Sequence, residues 1–359
     1  MVKSDLYPAF EKNNVPVVLA VNNKYAPYAG VFIRSLLDHA SEENNYDIII
    51  LNRDISQENK RLLKSLVTGY TNTSVRFYDP SPCFKSFNYI DEEHRCPLEI
   101  FYKLVAPQIL NYTGRIITVD IDTLLKTDIA RLMDVDLEGC CVGGVSRAPV
   151  IYARILLGRS FYPNIKNIGT RDYYRDILGI ENYENVESYK NRVYGPPWVF
   201  DVDKYIQKLD VETILNTAQQ NDYLFYDEDT LYILLKGKIK LLDLAWNVVV
   251  PSNERTVKVM NVASKIFNEV YKDSEAYKRA HEDPYLLHWG GRPKPWVCPD
   301  VPYGNEWWQT ALRTPFVGHI IARMVSELEI RRQYYIEQYG KREVDVWDPT
   351  PRRINRAQK

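Results

Sequence analysis

The sequence predicts an α/β protein: a Rossmann-like, mostly parallel sheet flanked by helices. Two observations carry this. Apolar runs of strand length alternate with helical stripes as far as Val119. The runs are also continuous rather than alternating in polarity, as strands covered on both faces are. Such alternation implies a doubly wound sheet, whose ligands lie at the carboxyl ends of the strands.

The elements follow in order. Val15–Asn22 is the first buried strand, and Tyr28–Ala40 carries a helical stripe of Val31, Phe32, Leu36 and Ala40. Asp47–Leu51 is the second strand. Ser56 is a suitable N-cap for a helix to about Val67, with Leu62, Leu63, Leu66 and Val67 inward. Ser74–Tyr78 forms a third strand, and Pro97 suits the first turn of a helix reaching Leu110. Gly114–Val119 is the fourth strand and runs directly into Asp120-Ile121-Asp122.

After Ser146 the rhythm breaks. Arg147–Arg192 is polar, tyrosine-rich and weakly periodic, either an active-site excursion or a helical insertion on the surface. Strand-like runs return at Trp198–Val202, Lys238–Asp243 and Tyr285–Trp289. With no repeat and no low-complexity linker, the division expected is one main domain over 1–312, with a variable region at 147–197, then a C-terminal amphipathic helix and basic tail over 313–359. That helix, Pro315–Tyr339, carries an apolar stripe through Phe316, Ile320, Ile321, Met324, Val325 and Leu328. The stripe either packs on the body or, with the tail, rests on anionic lipid. From Arg331 onward eight basic residues face four acidic ones.

Composition narrows the classes. Lys and Arg total 46 against 47 Asp and Glu, a balance that excludes a nucleic-acid-binding reading. Lys3, Asp5, Glu11 and Lys12 interrupt any apolar leader, and no apolar run reaches the roughly 20 residues of a membrane span. The five cysteines have no CxxC spacing, and Cys140 and Cys141 read as small core residues. A cytoplasmic protein, with peripheral contact at the inner face of the membrane through the tail, is the expectation.

The chemistry concentrates at three places. In an extended chain, residues i and i+2 point the same way, so Asp120 and Asp122 face one side of the strand exit. Two carboxylates so close call for a counter-cation, and Mg²⁺ or Mn²⁺ with a diphosphate would satisfy them. His288 opens the run His288-Trp289-Gly290-Gly291-Arg292-Pro293-Lys294-Pro295-Trp296. The glycines permit close backbone approach to a ligand, Lys294 can meet a phosphate as a point charge, and Trp296 is placed to wall a pocket. Asp227-Glu228-Asp229 heads a helix at Thr230. These carboxylates either serve the helix N-terminus or stand beside a reacting carbon.

In this order the motifs resemble glycosyltransferase family 8, the retaining enzymes that include glycogenin and the bacterial lipopolysaccharide galactosyl- and glucosyltransferases. The likeness runs from Val15 to Trp296. Leu19–Ala26 is similar to the family's first strand and Asp-X-X-Tyr turn, with Asn22 in place of Asp; Phe101–Leu104 with Pro107 is similar to Tyr-X-Arg-Leu…Pro, with Lys103 in place of Arg. Asp227–Asp229 is similar to Asp-Gln-Asp, and His288–Trp296 to the HxxGxxKPW signature. Tyr194-Gly195-Pro196-Pro197 stands where the family has Asn-Ser/Ala-Gly.

The resemblance implies a GT-A-type fold with a mixed, mostly parallel sheet. It also implies transfer of a hexose from a UDP-sugar, UDP-glucose or UDP-galactose, to a glycan or glycolipid hydroxyl, in polysaccharide or lipopolysaccharide synthesis. Ala20, Asn22 and Tyr25 would hold uracil and ribose, and Lys103 the donor sugar. Asp120, Ile121 and Asp122 would line the nucleotide site, and Gly291 and Lys294 would bind the diphosphate. Asp120, Asp122 and His288 would hold Mn²⁺ or Mg²⁺. Asp229, with Glu228 and Asp227 beside it, would act near the anomeric carbon as nucleophile or stabiliser. A sugar-nucleotide-binding homologue with weak catalysis is the competing reading. A nucleotidyltransferase would want a glycine-rich phosphate loop, and Ala20–Ala26 contains no glycine.

Overall fold

The computed structural model describes residues 4–87, 97–157, 172–182, 185–220 and 223–339. Strands β1 (Asn14–Ala20), β2 (Asn45–Leu51), β3 (Thr73–Tyr78) and β4 (Arg115–Val119) pair in parallel, in the order β3-β2-β1-β4. Helices α1 (Ala26–Leu37) and α2 (Gln57–Ser65) make the first crossovers. Ser56 caps α2 as its side chain chemistry predicts, accepting the Asn59 N–H at 3.2 Å. Pro97 precedes a 3₁₀ turn, Leu98–Phe101, which leads into α3 (Tyr102–Ile109).

The sheet departs from all-parallel at its far side. Strand β7 (Trp198–Asp201) lies antiparallel to β4 and to β6 (Val142–Gly144), and β6 pairs in parallel with β8 (Lys240–Leu241). The sheet is therefore mixed and mostly parallel. A second sheet of three short strands has the order β5-β10-β9: β5 (Thr123–Leu125), β9 (Val248–Val249) and β10 (Leu286–His288). The sequence pattern singled out β8 and β10 but not β5, β6 or β9.

Side chains of the central strands alternate between two cores, because successive residues of a strand point to opposite faces. Val17, Leu19, Ile48, Ile50, Ile117 and Val119 enter one core, while Val18, Ile49, Leu51 and Ile116 enter the other. The Arg147–Arg192 region is no surface insertion where it is described. Helix α4 (Ala148–Leu156) and the turn Tyr173–Ile177 build a third core around Ala148, Ile151, Tyr173 and Tyr174. Helices α5 (Val202–Lys208), α6 (Val211–Gln220) and α7 (Tyr226–Leu235) follow β7. Between β9 and β10 lie α8 (Glu254–Tyr271) and α9 (Ala276–Glu282).

The chain ends on α10 (Gly304–Ala311) and α11 (Val317–Tyr339). Phe316 and Ile320 are buried in the core beside α1, whereas Ile321 and Val325 are 42% and 47% exposed. Only one edge of the expected stripe packs. Gly30 of α1 allows this contact, since a Cβ there would lie 2.5 Å from the Phe316 ring. The tail beyond 339 lies outside the described residues.

Candidate active site

Asp120 and Asp122 leave β4 on the turn before β5, and β5 pairs antiparallel with β10 so that Thr123 faces His288. This pairing brings the distant histidine to the carboxylates. Ligand atoms of Asp120, Asp122 and His288 lie within 4.8 Å of one another, the one such cluster of three among the described residues. His288 Nε2 is 3.4 Å from Asp122 Oδ1.

The imidazole is oriented from behind. Asn247, buried at the 3₁₀ turn Leu244–Asn247, donates through Nδ2 to the carbonyls of Gly195 (2.8 Å) and Pro196 (3.3 Å). Its Oδ1 must then accept, and it lies 2.9 Å from His288 Nδ1. The proton therefore sits on Nδ1 and leaves the Nε2 lone pair facing the carboxylates, the arrangement a ligating histidine needs. The donor set of two carboxylates and one imidazole suits Mn²⁺, and less closely Mg²⁺.

Two lysines balance the carboxylates. Lys294 bonds Asp122 and the Trp289 carbonyl, while Trp289 N–H donates to the Asp122 carbonyl at 3.0 Å. Burial pushes the Asp122 carboxyl up, but the Lys294 ammonium beside it outweighs that and holds it well below the usual range. Lys103, enclosed by α3, places Nζ 2.5 Å from Asp120 and 2.9 Å from Asp227. Burial opposes its charge, and the two carboxylates overcome that. Asp227 itself is pushed up to about 7 by burial, against the pull of Lys103.

The three carboxylates at the start of α7 have different surroundings. Asp227 meets Lys103 and the metal side. Glu228 accepts the Gly195 N–H at 2.8 Å and pairs with Arg147. Asp229 has no exposure: its oxygens take Arg192, the Tyr173 hydroxyl (2.5 Å) and the Phe225 N–H (2.9 Å). Asp229, the carboxylate expected beside the reacting carbon, is fully enclosed and paired with the equally buried Arg192.

The remaining expected residues are distributed as follows. Ala20 ends β1, and Asn22 makes the turn after it, accepting the Tyr25 N–H at its side chain (3.2 Å) and its carbonyl (3.0 Å). A neutral amide suffices for that task. Ile121 is half-buried between the two aspartates. Gly291 has open space where a side chain would go. Trp296 does not wall the cleft; it stacks on Tyr28 at 4.1 Å in the core.

The sequence gives Arg147 and Arg192 no role, and marks Gly195 only as part of a departure from the family pattern. The arginines stand alone in a weakly periodic stretch and carry no signal.

Comparison with known proteins gives a consistent result. The profile described as Glycosyl transferase family 8 matches residues 16–193 and 197–298. General stress protein A of Bacillus subtilis (strain 168) is 20% identical over 298 residues, covering 81% of this chain and 91% of that protein. Among solved structures, the WbbM bifunctional glycosyltransferase in its apo form aligns with TM-score 0.74 and 22% identity over 89% of this chain. The chain spans 53% of WbbM, about half its length. The galactosyltransferase LgtC, in complex with donor and acceptor sugar analogues, aligns with TM-score 0.59 and 16% identity, covering 84% of this chain and 96% of LgtC. The mostly parallel sheet flanked by helices is the GT-A-like fold of these transferases. A profile that spans most of the chain, lying on this fold, shows that the protein belongs to glycosyl transferase family 8, whose members transfer sugars.

Proposed function

We propose that the protein is a metal-dependent, retaining hexosyltransferase that uses a UDP-sugar, UDP-glucose or UDP-galactose. The acceptor would be a hydroxyl of a glycan or glycolipid, in the synthesis of cell-surface polysaccharide or lipopolysaccharide. The observation that carries this reading is the convergence of Asp120, Asp122 and His288, with the bare Nε2 turned to the carboxylates.

In the reaction, the bond from the anomeric carbon to the phosphate breaks and its electron pair leaves on UDP. The acceptor oxygen forms the new bond on the same face and gives up its proton to the departing UDP. Asp120, Asp122 and His288 would hold Mn²⁺ or Mg²⁺, which when bound supplies Lewis-acid neutralisation of the leaving diphosphate. Lys294, fixed beside Asp122, gives the same diphosphate a point charge, with the Gly290-Gly291 backbone leaving it room. The Asn22–Tyr25 turn, at the carboxyl end of β1, receives the uridine, and Ala20 and Ile121 line it. Lys103 meets the donor sugar from its place between Asp120 and Asp227. On the sugar side Glu228 and Asp227 supply negative charge near developing positive charge at the anomeric carbon. Asp229 serves them through Arg192.

The test is UDP release and glycoside formation from UDP-glucose and UDP-galactose with Mn²⁺, then with EDTA, then with Mn²⁺ restored. Metal-dependent turnover is expected. Its absence with either donor would leave a sugar-nucleotide-binding protein without catalysis. No described helix is long and apolar enough to cross a membrane. For membrane contact the reading rests on the exposed Ile321 and Val325 and the basic residues after Arg331. Deleting 340–359 should weaken co-sedimentation with anionic vesicles, and unchanged binding would remove that role.

A further inference from the structure

We infer that the backbone of Gly195 is the joint that ties the reaction carboxylate Glu228 to the metal ligand His288, and that Gly195 and Asn247 are positioning residues for both. This rests on the functional reading above.

Gly195 is bonded on both sides. Its N–H donates to Glu228 Oε1 at 2.8 Å, and its carbonyl accepts from Asn247 Nδ2 at 2.8 Å. Asn247 passes the connection on through Oδ1 to His288 Nδ1 at 2.9 Å. The backbone of one residue thus spans the gap between the carboxylate of α7 and the imidazole of β10, two elements with no direct bond between these side chains. Glu228 is fixed at its other oxygen by Arg147, so the joint sets the carboxylate's remaining freedom.

Space makes the same point independently. A Cβ at Gly195 would lie 2.8 Å from Asp120 Oδ2, 3.5 Å from Glu228 Oε1 and 3.7 Å from His288 Cε1. The α-carbon therefore faces two metal ligands and a reaction carboxylate at once. Gly195 is not among the residues with positive φ, so the backbone does not demand glycine; the site does. The nearest atom is the end of a movable carboxylate, so an added methyl group is accommodated by turning Asp120. That displaces a metal ligand and leaves the fold in place.

Two variants test the joint, each read by Mn²⁺ binding (free Mn²⁺ by electron paramagnetic resonance, with and without UDP) as well as by kinetics. G195A is expected to keep the wild-type melting temperature and to weaken Mn²⁺ binding by about 10–100-fold, the usual effect of disturbing groups that orient metal ligands. N247D separates the two ends. Its carboxylate still accepts from His288 Nδ1 but faces the carbonyls of Gly195 and Pro196 without a proton to donate. Mn²⁺ affinity should hold or rise, while kcat falls by at least about tenfold and the KM for donor stays. A folded G195A that binds Mn²⁺ as wild type does, or an N247D in which affinity and kcat fall together, overturns the inference. If G195A does not fold, N247D decides alone. A wild-type protein that binds no Mn²⁺ would instead overturn the functional reading itself.

Discussion

Arg192 and Asp229 form an ion pair in which neither side chain has any solvent exposure. Removing one partner of such a pair leaves a buried charge with no compensation, at a cost of about 3–5 kcal/mol. D229N should therefore lose stability on that scale in urea unfolding, and the apolar double variant R192M/D229L should recover much of it. Wild-type stability in D229N would mean that Asp229 is not the structural partner described here.

Lys103 sits between Asp120 and Asp227 with almost no exposure. Replacing it by methionine keeps much of the volume and removes the charge that both carboxylates share. We expect kcat in K103M to fall by about 10²–10³, the range seen when one preorganised electrostatic contact is lost. Full turnover in K103M would show that the ammonium is dispensable to the site.

Asp122 stands at a strand exit rather than in a core, so its loss should spare the fold. In D122A, Mn²⁺ binding should disappear and turnover fall by at least roughly 10³, corresponding to about 4 kcal/mol of lost transition-state stabilisation. The circular dichroism spectrum should match wild type. An unfolded D122A, or one with full activity, would contradict the metal assignment.

Gly30 and Phe316 are matched across the contact between α1 and the last helix. G30A should destabilise by about 1–3 kcal/mol through overpacking. Truncating the ring relieves that clash, so G30A/F316A should lose less than the sum of the single variants. Strict additivity would mean that the two residues do not meet.

The first four strands and their helices were legible because each is long enough to display continuous burial, and Ser56 announced its helix by chemistry. β5, β6 and β9 were not legible. β5 is nonetheless the strand that brings His288 to Asp120 and Asp122, so the metal cluster was readable as motifs but not as geometry. The reversal of β7 was hidden because an apolar run has no direction. Asp229 shows a different limit. A carboxylate at a helix start looks the same in sequence whether it faces a substrate or a buried arginine, and Arg192 lies 37 positions away from it.

The pairing of β5 with β10 has a consequence for how the protein is made. Asp120 leaves the ribosome early, then Gly195, Glu228 and Asn247, and His288 only after four-fifths of the chain has been synthesised. The parallel core from β1 to β4 can collapse while Lys103 and the aspartate pair wait for their imidazole. On the proposed function, metal capture waits until α8 and α9 have been made between β9 and β10. A nascent chain arrested before Leu286 should hold a folded nucleotide-side half with no grip on Mn²⁺, so a stalled ribosome would expose no prematurely active transferase.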